Sequence, residues 1–183
     1  MFFKKCASVL SLPLCHIFDT SFKDCSLPDI WKSASVVPVF KKGSTLDPND
    51  YRPISLTSTC CRVMERIINK EIHTHLLQYN LISRHQHGFV SKRSTCTNLL
   101  ECLHDWSYNI QNKHGTDVID FKKAFDSVSH SKLMTKILAY SLVGNLYNWL
   151  ASFFGDRTQA VKIDNITSSY TSIITGVPQA KCT

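Results

Sequence analysis

From Thr59 to Tyr79 the apolar residues Val63, Met64, Ile67, Ile68, Ile72, Leu76 and Leu77 recur at three- and four-residue spacing, with charge between them. That period predicts an amphipathic helix. A second stripe, Leu99, Leu100, Leu103, Trp106 and Ile110, predicts a helix over residues 95–111, with Ser94 placed to cap its first turn. A third helix follows Ser129, carries Leu133, Ile137, Leu138 and Tyr140, and is expected to end at Gly144. LYNWLASFF (146–154) predicts a short helix. Residues 1–25 also predict a helix, broken in pattern at Pro13, with Val9, Leu12, Ile17 and Phe22 as buried positions.

Period-two and β-branched runs alternate with these helices. SASVVPVF (33–40) and YRPISL (51–56) flank the charged segment KKGSTLDPND (41–50), which reads as a hairpin with a basic tip. Pro38 and Pro53 lack amide hydrogens, so these strands are expected at a sheet edge or at a bulge. TDVIDF (116–121) predicts a short strand running into the Ser129 helix. QAVKI (159–163) predicts a strand paired with YTSIIT (170–175) across the DNITSS turn. Without repeats or low-complexity tracts, the pattern amounts to one α+β unit.

Composition narrows the class. A chain of 183 residues with 43% hydrophobic content is long enough for one sizeable core. Twenty-one basic against fourteen acidic residues give a net charge of +7, which suits an anionic partner such as a nucleic-acid backbone or a nucleotide triphosphate. The eight cysteines contain no C-x-x-C pair and no framework spacing, so reduced thiols in an intracellular protein, cytoplasmic or nuclear, are expected. Two lysines followed by apolar residues open the chain in the manner of a signal peptide, but Pro13 and His16 break the run. No stretch approaches the roughly 20 apolar residues of a membrane span. The closest histidine pair, His73 and His75, is spaced i,i+2 and diverges on a helix, so the eight histidines suggest no metal site.

Read in order, VVPVFKKGS (36–44), DYRPISL (50–56), QHGFVSKRSTCTNLL (86–100), DFKKAFDSVSH (120–130) and GVPQ (176–179) resemble the fingers and palm motifs of jockey-type and LINE-type reverse transcriptases of non-LTR retrotransposons. The similarity runs from about Leu27 to Gln179. It implies a right-hand polymerase fragment, with residues about 27–115 fingers-like and 116–183 a partial palm built on an antiparallel sheet with packed helices. It also implies RNA-directed DNA synthesis on an RNA template and a DNA primer from deoxynucleotides. Mg²⁺ is then the cofactor, with no small-molecule cofactor beyond the metal and no membrane expected.

The resemblance assigns roles residue by residue. Asp120 matches the first aspartate of the palm motif, a metal ligand for in-line attack on a phosphate, and the backbone carbonyl of Phe121 can face the same ion. Phe125 matches the bulky residue under the nucleotide sugar, where a ring would exclude a 2′-hydroxyl. Gln179 matches the glutamine near the bound nucleotide, and Lys41, Lys42 and Arg52 sit where fingers residues meet the triphosphate or template. Lys92 and Arg93 are further candidates for contact with the template backbone. Each has a structural alternative: a strand-end aspartate, a core phenylalanine, a solvated basic loop. Asp126 lies six residues from Asp120 across a turn, a separation that does not bring the two carboxylates together, and reads as a structural capping residue.

Departures from the family pattern bear on activity. Ala180 replaces the glycine after V-P-Q, and Val90 follows GF where a basic residue is common. The run before Asp120 is short, and the sequence contains no Asp-Asp pair to supply further carboxylates. The expectation is therefore a chain inactive alone. Two alternatives are a residual nucleic-acid-binding module and a product that folds poorly at an open sheet edge.

Overall fold

The computed structural model describes residues 5–121 and 123–178. Gln179 therefore lies outside the described residues, as does Ala180. The described elements run α1 (Ala7–Lys23), α2 (Asp29–Lys32), β1 (Ser33–Phe40), a 3-10 turn (Pro48–Asp50), β2 (Tyr51–Leu56) and α3 (Thr59–Gln78). They continue with α4 (Thr95–Gln111), α5 (His130–Ala139), α6 (Asn145–Phe154), β3 (Thr158–Ile163), β4 (Ile166–Thr167) and β5 (Thr171–Ser172). Two compact units divide the chain: residues 1–72 with 123–183, and residues 73–122.

The first unit is a mixed sheet in the order β2-β1-β3-β4, with β5 also on β3. The expected hairpin is present: β1 and β2 pair antiparallel with Pro38 opposite Pro53, so the ladder loses both amides at one pair rather than two. β3 pairs parallel with β1 only from Ser33 to Val36, which leaves Pro38 beyond the reach of that second neighbour. Here the sheet differs from the antiparallel expectation. Parallel partners need a long crossover, and the link from Ser33 to Thr158 spans most of the chain, so no local pattern announces it. β3 turns back through Asp164 and Asn165 onto β4, then pairs Gln159 with Thr171 of β5.

One core serves this unit. Phe18 of α1, Leu27, Trp31 of α2, Cys61, Met64 and Ile68 of α3, and Trp149, Leu150 and Phe153 of α6 form it. The rings mesh in two contacts, Phe18 edge-on to Trp31 at 5.9 Å and Trp149 stacked on Phe153 at 5.4 Å. Truncating one such ring costs about 3–5 kcal/mol. The first helix forms as expected, with Pro13 inside it, but its inward face is Leu14, Phe18, Ser21 and Phe22. Val9, Leu12 and Ile17 are exposed instead, because only the Leu14–Phe18–Phe22 row, at i,i+4,i+8, meets the Trp31–Trp149 cluster.

Ser129 caps α5 as predicted, its hydroxyl accepting from the Lys132 amide. That helix stops at Ala139 rather than at Gly144. Ser141 takes the left-handed backbone, φ +60°, while Gly144 stands at the entrance of α6. In the second unit, α4 begins with a capping box: the Ser94 hydroxyl accepts from the Thr97 amide and the Thr97 hydroxyl from the Ser94 amide. The TDVIDF strand is not formed. Residues 116–121 carry no regular structure, and Val118, Ile119 and Phe121 are exposed. A strand needs a partner for its amides and carbonyls, and among the described residues none pairs with this segment.

Candidate functional site

One face of the first unit's sheet is hollowed into a groove of about 740 Å³. Its floor is built by residues that the pairing registers put side by side: Val36 and Pro38 of β1, Tyr51 and Pro53 of β2, Val161 and Ile163 of β3. One wall is the β1–β2 connection, with Lys41, Thr45, Leu46, Pro48 and Asn49. The other is the turn carrying Lys123, Ala124, Phe125 and Asp126.

The connection is held in shape by its own polar groups. The Lys41 amide donates to the Asp50 carbonyl at 2.8 Å, the Ser44 amide to the Asp50 carboxylate at 2.7 Å, and the Tyr51 hydroxyl to the Thr45 carbonyl at 2.9 Å. Gly43, at φ +93°, lies against the Asp50 carboxylate where a Cβ would collide. Asp47 caps the 3-10 turn, accepting from the Asn49 amide at 2.8 Å.

The opposite wall starts at Lys123, a non-glycine residue at φ +54°. Its carbonyl accepts from the amides of Asp126 and Ser127. The segment that follows is strapped to the GVP stretch: Val177 donates to the Phe125 carbonyl at 3.0 Å, Gly176 to the Val128 carbonyl at 2.8 Å, and the His130 ring bonds the Gly176 carbonyl at 2.7 Å. Asp126 lies within this turn, its amide bonded to the Lys123 carbonyl. A smaller cavity of about 270 Å³ shares Pro53 and Asp126 with the groove and reaches Gln159, Arg157 and Thr175.

Three predicted residues from distant parts of the chain therefore line one groove: Lys41, Arg52 and Phe125. Lys123 was not singled out from the sequence and adds a third cation beside Asp126, the one acid among the described lining residues. The signal for it was its place two residues before Phe125, in a stretch read only for its aspartates and its ring. Asp120 and Phe121 belong to the second unit and are exposed. Lys92 is exposed at φ +64°, and the Arg93 guanidinium bonds the Arg84 carbonyl.

Among the described residues no three metal-binding side chains come together, and no helix is long and apolar enough to cross a membrane. Among the described residues the groove's donor set does not fit a pair of divalent ions, since hard cations need several oxygen ligands and Asp126 alone of the described lining supplies a carboxylate.

Among the described residues, three ionisable groups lie in perturbed settings. Burial first, and then the Glu65 carboxylate 3.1 Å from its sulfur, push the Cys61 thiol far up. Burial lowers the pKa of the Arg157 guanidinium, which lies 4.7 Å over the Phe153 ring and donates to the Phe153 carbonyl at 3.1 Å. In the second unit, hydrogen bonds from His85 and then His87 hold the Glu101 carboxyl below its usual range.

Comparison with known proteins places the chain in a family. The reverse transcriptase (RNA-dependent DNA polymerase) family matches residues 39–179. The "RNA-directed DNA polymerase from mobile element jockey" of Drosophila melanogaster is 32% identical over 169 residues, covering 91% of this chain and 18% of the relative. The "Probable RNA-directed DNA polymerase from transposon BS" of the same fly is 28% identical over 176 residues, covering 92% and 19%. A "Retrovirus-related Pol polyprotein from type-1 retrotransposable element R2" of Popillia japonica is 22% identical over 139 residues, covering 75% and 19%. The chain spans about a fifth of the length of these curated relatives. The chain belongs to the reverse transcriptase family of non-LTR retrotransposons.

Proposed function

We propose that the groove is the nucleotide site of an RNA-directed DNA polymerase fragment. The observation that carries this reading is the convergence of Lys41, Arg52 and Phe125 on one concavity from segments more than seventy residues apart. Its volume lies within the range of about 300–1,000 Å³ usual for small-ligand sites. Lys41 and Arg52 take the triphosphate through charge-assisted hydrogen bonds. Phe125, half-exposed at the wall, sets its ring against the sugar and disfavours a 2′-hydroxyl. By the family resemblance alone, Gln179 is assigned to the nucleotide, Lys92 and Arg93 to the template, and Asp120 with the Phe121 carbonyl to Mg²⁺.

The same reading divides the chain into a fingers-like part, about 27–115, and a partial palm, 116–183. Partners are an RNA template, a DNA primer and deoxynucleotides. With one candidate carboxylate for the metal, the chain alone is expected to lack polymerase activity.

Titration with a fluorescent deoxynucleotide tests the site. Arg52→Gln is expected to weaken binding about tenfold, the worth of one charge-assisted contact. Phe125→Ala should bring deoxy- and ribonucleotide affinities together. Primer extension on a primed RNA template, beside an Asp120→Ala control, tests inactivity; extension lost in the control would overturn it.

The net charge of +7 supports a second reading, a nucleic-acid-binding module without catalysis. It predicts template binding that falls steeply with salt and is indifferent to Phe125→Ala.

A further inference from the structure

The two walls of the groove are tied together by one side-chain contact. Lys123 Nζ donates to Asn49 Oδ1 at 3.0 Å across seventy-four residues of sequence. Asn49 is itself oriented, because its Nδ2 donates to Asp47 Oδ1 at 3.0 Å, and the same carboxylate oxygen accepts from the Asn49 backbone amide. With the amide nitrogen committed to Asp47, the carbonyl oxygen is the end presented to Lys123. The acceptor is neutral, so it fixes the ammonium without cancelling its charge. An ammonium has three hydrogens, and one bond to Asn49 leaves two for another partner.

Lys123 also occupies a backbone conformation that non-glycine residues rarely adopt, φ +54°. Such strain persists where the surroundings over-determine it and clusters at ligand sites. It stands in the same groove lining as Lys41 and Arg52.

We propose that Lys123 is a third anion-binding cation of the groove, and that Asn49, oriented by Asp47, is its positioning residue. The ligand class is a polyphosphate ester. The tie from Asn49 holds the ammonium at the wall before the anion arrives, so less side-chain freedom is lost on binding. Lys41, Arg52 and Lys123 then bring charge to the anion from the end of β1, from β2 and from the opposite wall. This inference rests on the reading of the groove as a triphosphate site, and its tie can be tested apart from that reading.

Two measurements on the whole chain decide it. In the first, hydrogen exchange without ligand follows residues 43–50. Asn49→Ala and Lys123→Gln are each expected to speed exchange there, with unchanged circular dichroism; exchange at the wild-type rate in both would overturn the tie. In the second, sodium tripolyphosphate is titrated calorimetrically. Lys123→Gln is expected to weaken binding about tenfold and Asn49→Ala about threefold, while Lys123→Arg stays near wild type. If Arg52→Gln weakens binding and Lys123→Gln does not, the inference fails and the triphosphate reading stands. If wild type does not bind tripolyphosphate, that reading fails together with the anion-binding role, and the exchange data still judge the tie.

Discussion

Gly176 approaches Asp126 so closely that a Cβ on the glycine would stand 2.9 Å from the Asp126 carbonyl oxygen and 3.0 Å from its Cα. At φ +86° the glycine also holds a conformation that other residues rarely adopt. Contact and conformation together allow the GVP stretch to lie against the turn that carries Phe125.

Gly176→Ala therefore meets both a backbone collision and an unfavourable φ. A loss of about 1–3 kcal/mol is expected from the conformation alone, with the collision adding to it. Urea unfolding measures the total. Nucleotide affinity should fall with it, since the Val177 amide and the Phe125 carbonyl are partners across this contact. A variant as stable as wild type would remove the close approach as a structural constraint.

Ser21 and Trp149 form the polar joint inside the core. The buried Trp149 indole donates to Oγ of the buried Ser21 at 3.1 Å, and that hydroxyl donates to the carbonyl of the exposed Ser26 at 2.6 Å. Ser21→Ala leaves the indole N–H without an acceptor, at a cost of about 1–3 kcal/mol. Trp149→Phe loses the donor as well as ring area, so the double variant should cost less than the sum of the two. A double-mutant cycle measures that coupling; strict additivity would mean the bond contributes nothing.

Elements defined by local chemistry were legible before folding was considered. The β1–β2 hairpin follows from a β-branched run, a turn-rich segment and a second run. The caps at Ser94 and Ser129 follow from hydroxyls placed before apolar stripes. Three of the groove's residues, Lys41, Arg52 and Phe125, were legible through motif resemblance. What stayed hidden depends on distant partners. The parallel β1–β3 pairing joins Ser33 to Thr158. The phase of α1 is decided by rings at Trp31 and Trp149, and the TDVIDF run has every local mark of a strand except a neighbour to pair with. Lys123 escaped notice for the same reason, because its meaning lies in Asn49.

Thiol reactivity offers a check on the core. Cys61 is fully buried, and burial with the nearby Glu65 carboxylate disfavours its thiolate, the reactive form. Cys15 and Cys96 are exposed. Under native, mildly alkaline conditions an aromatic disulfide reagent should modify Cys15 and Cys96 quickly and leave Cys61 untouched until denaturant is added. Peptide mapping resolves the three sites; Cys61 labelled at the rate of Cys15 would contradict the packing of α3 against α2 and α6.

The second unit carries a pH-dependent element of known sign. Glu101 accepts from His85 and His87, with the His85 bond the larger cause of its lowered pKa; Thr97 bonds the other side of His87 at 2.9 Å, and Arg84 Nε donates to His85 Nε2 at 3.1 Å. A carboxyl whose folded pKa lies below its unfolded value of 4.5 contributes stability above pH 4.5, lost as pH falls through the folded pKa. Glu101→Gln keeps an acceptor oxygen and removes the titration. Its urea midpoint should therefore lie below wild type at neutral pH and converge on it as pH drops below 4.5. Curves that run parallel through that window would show that the two histidines do not hold Glu101 ionised in the folded chain.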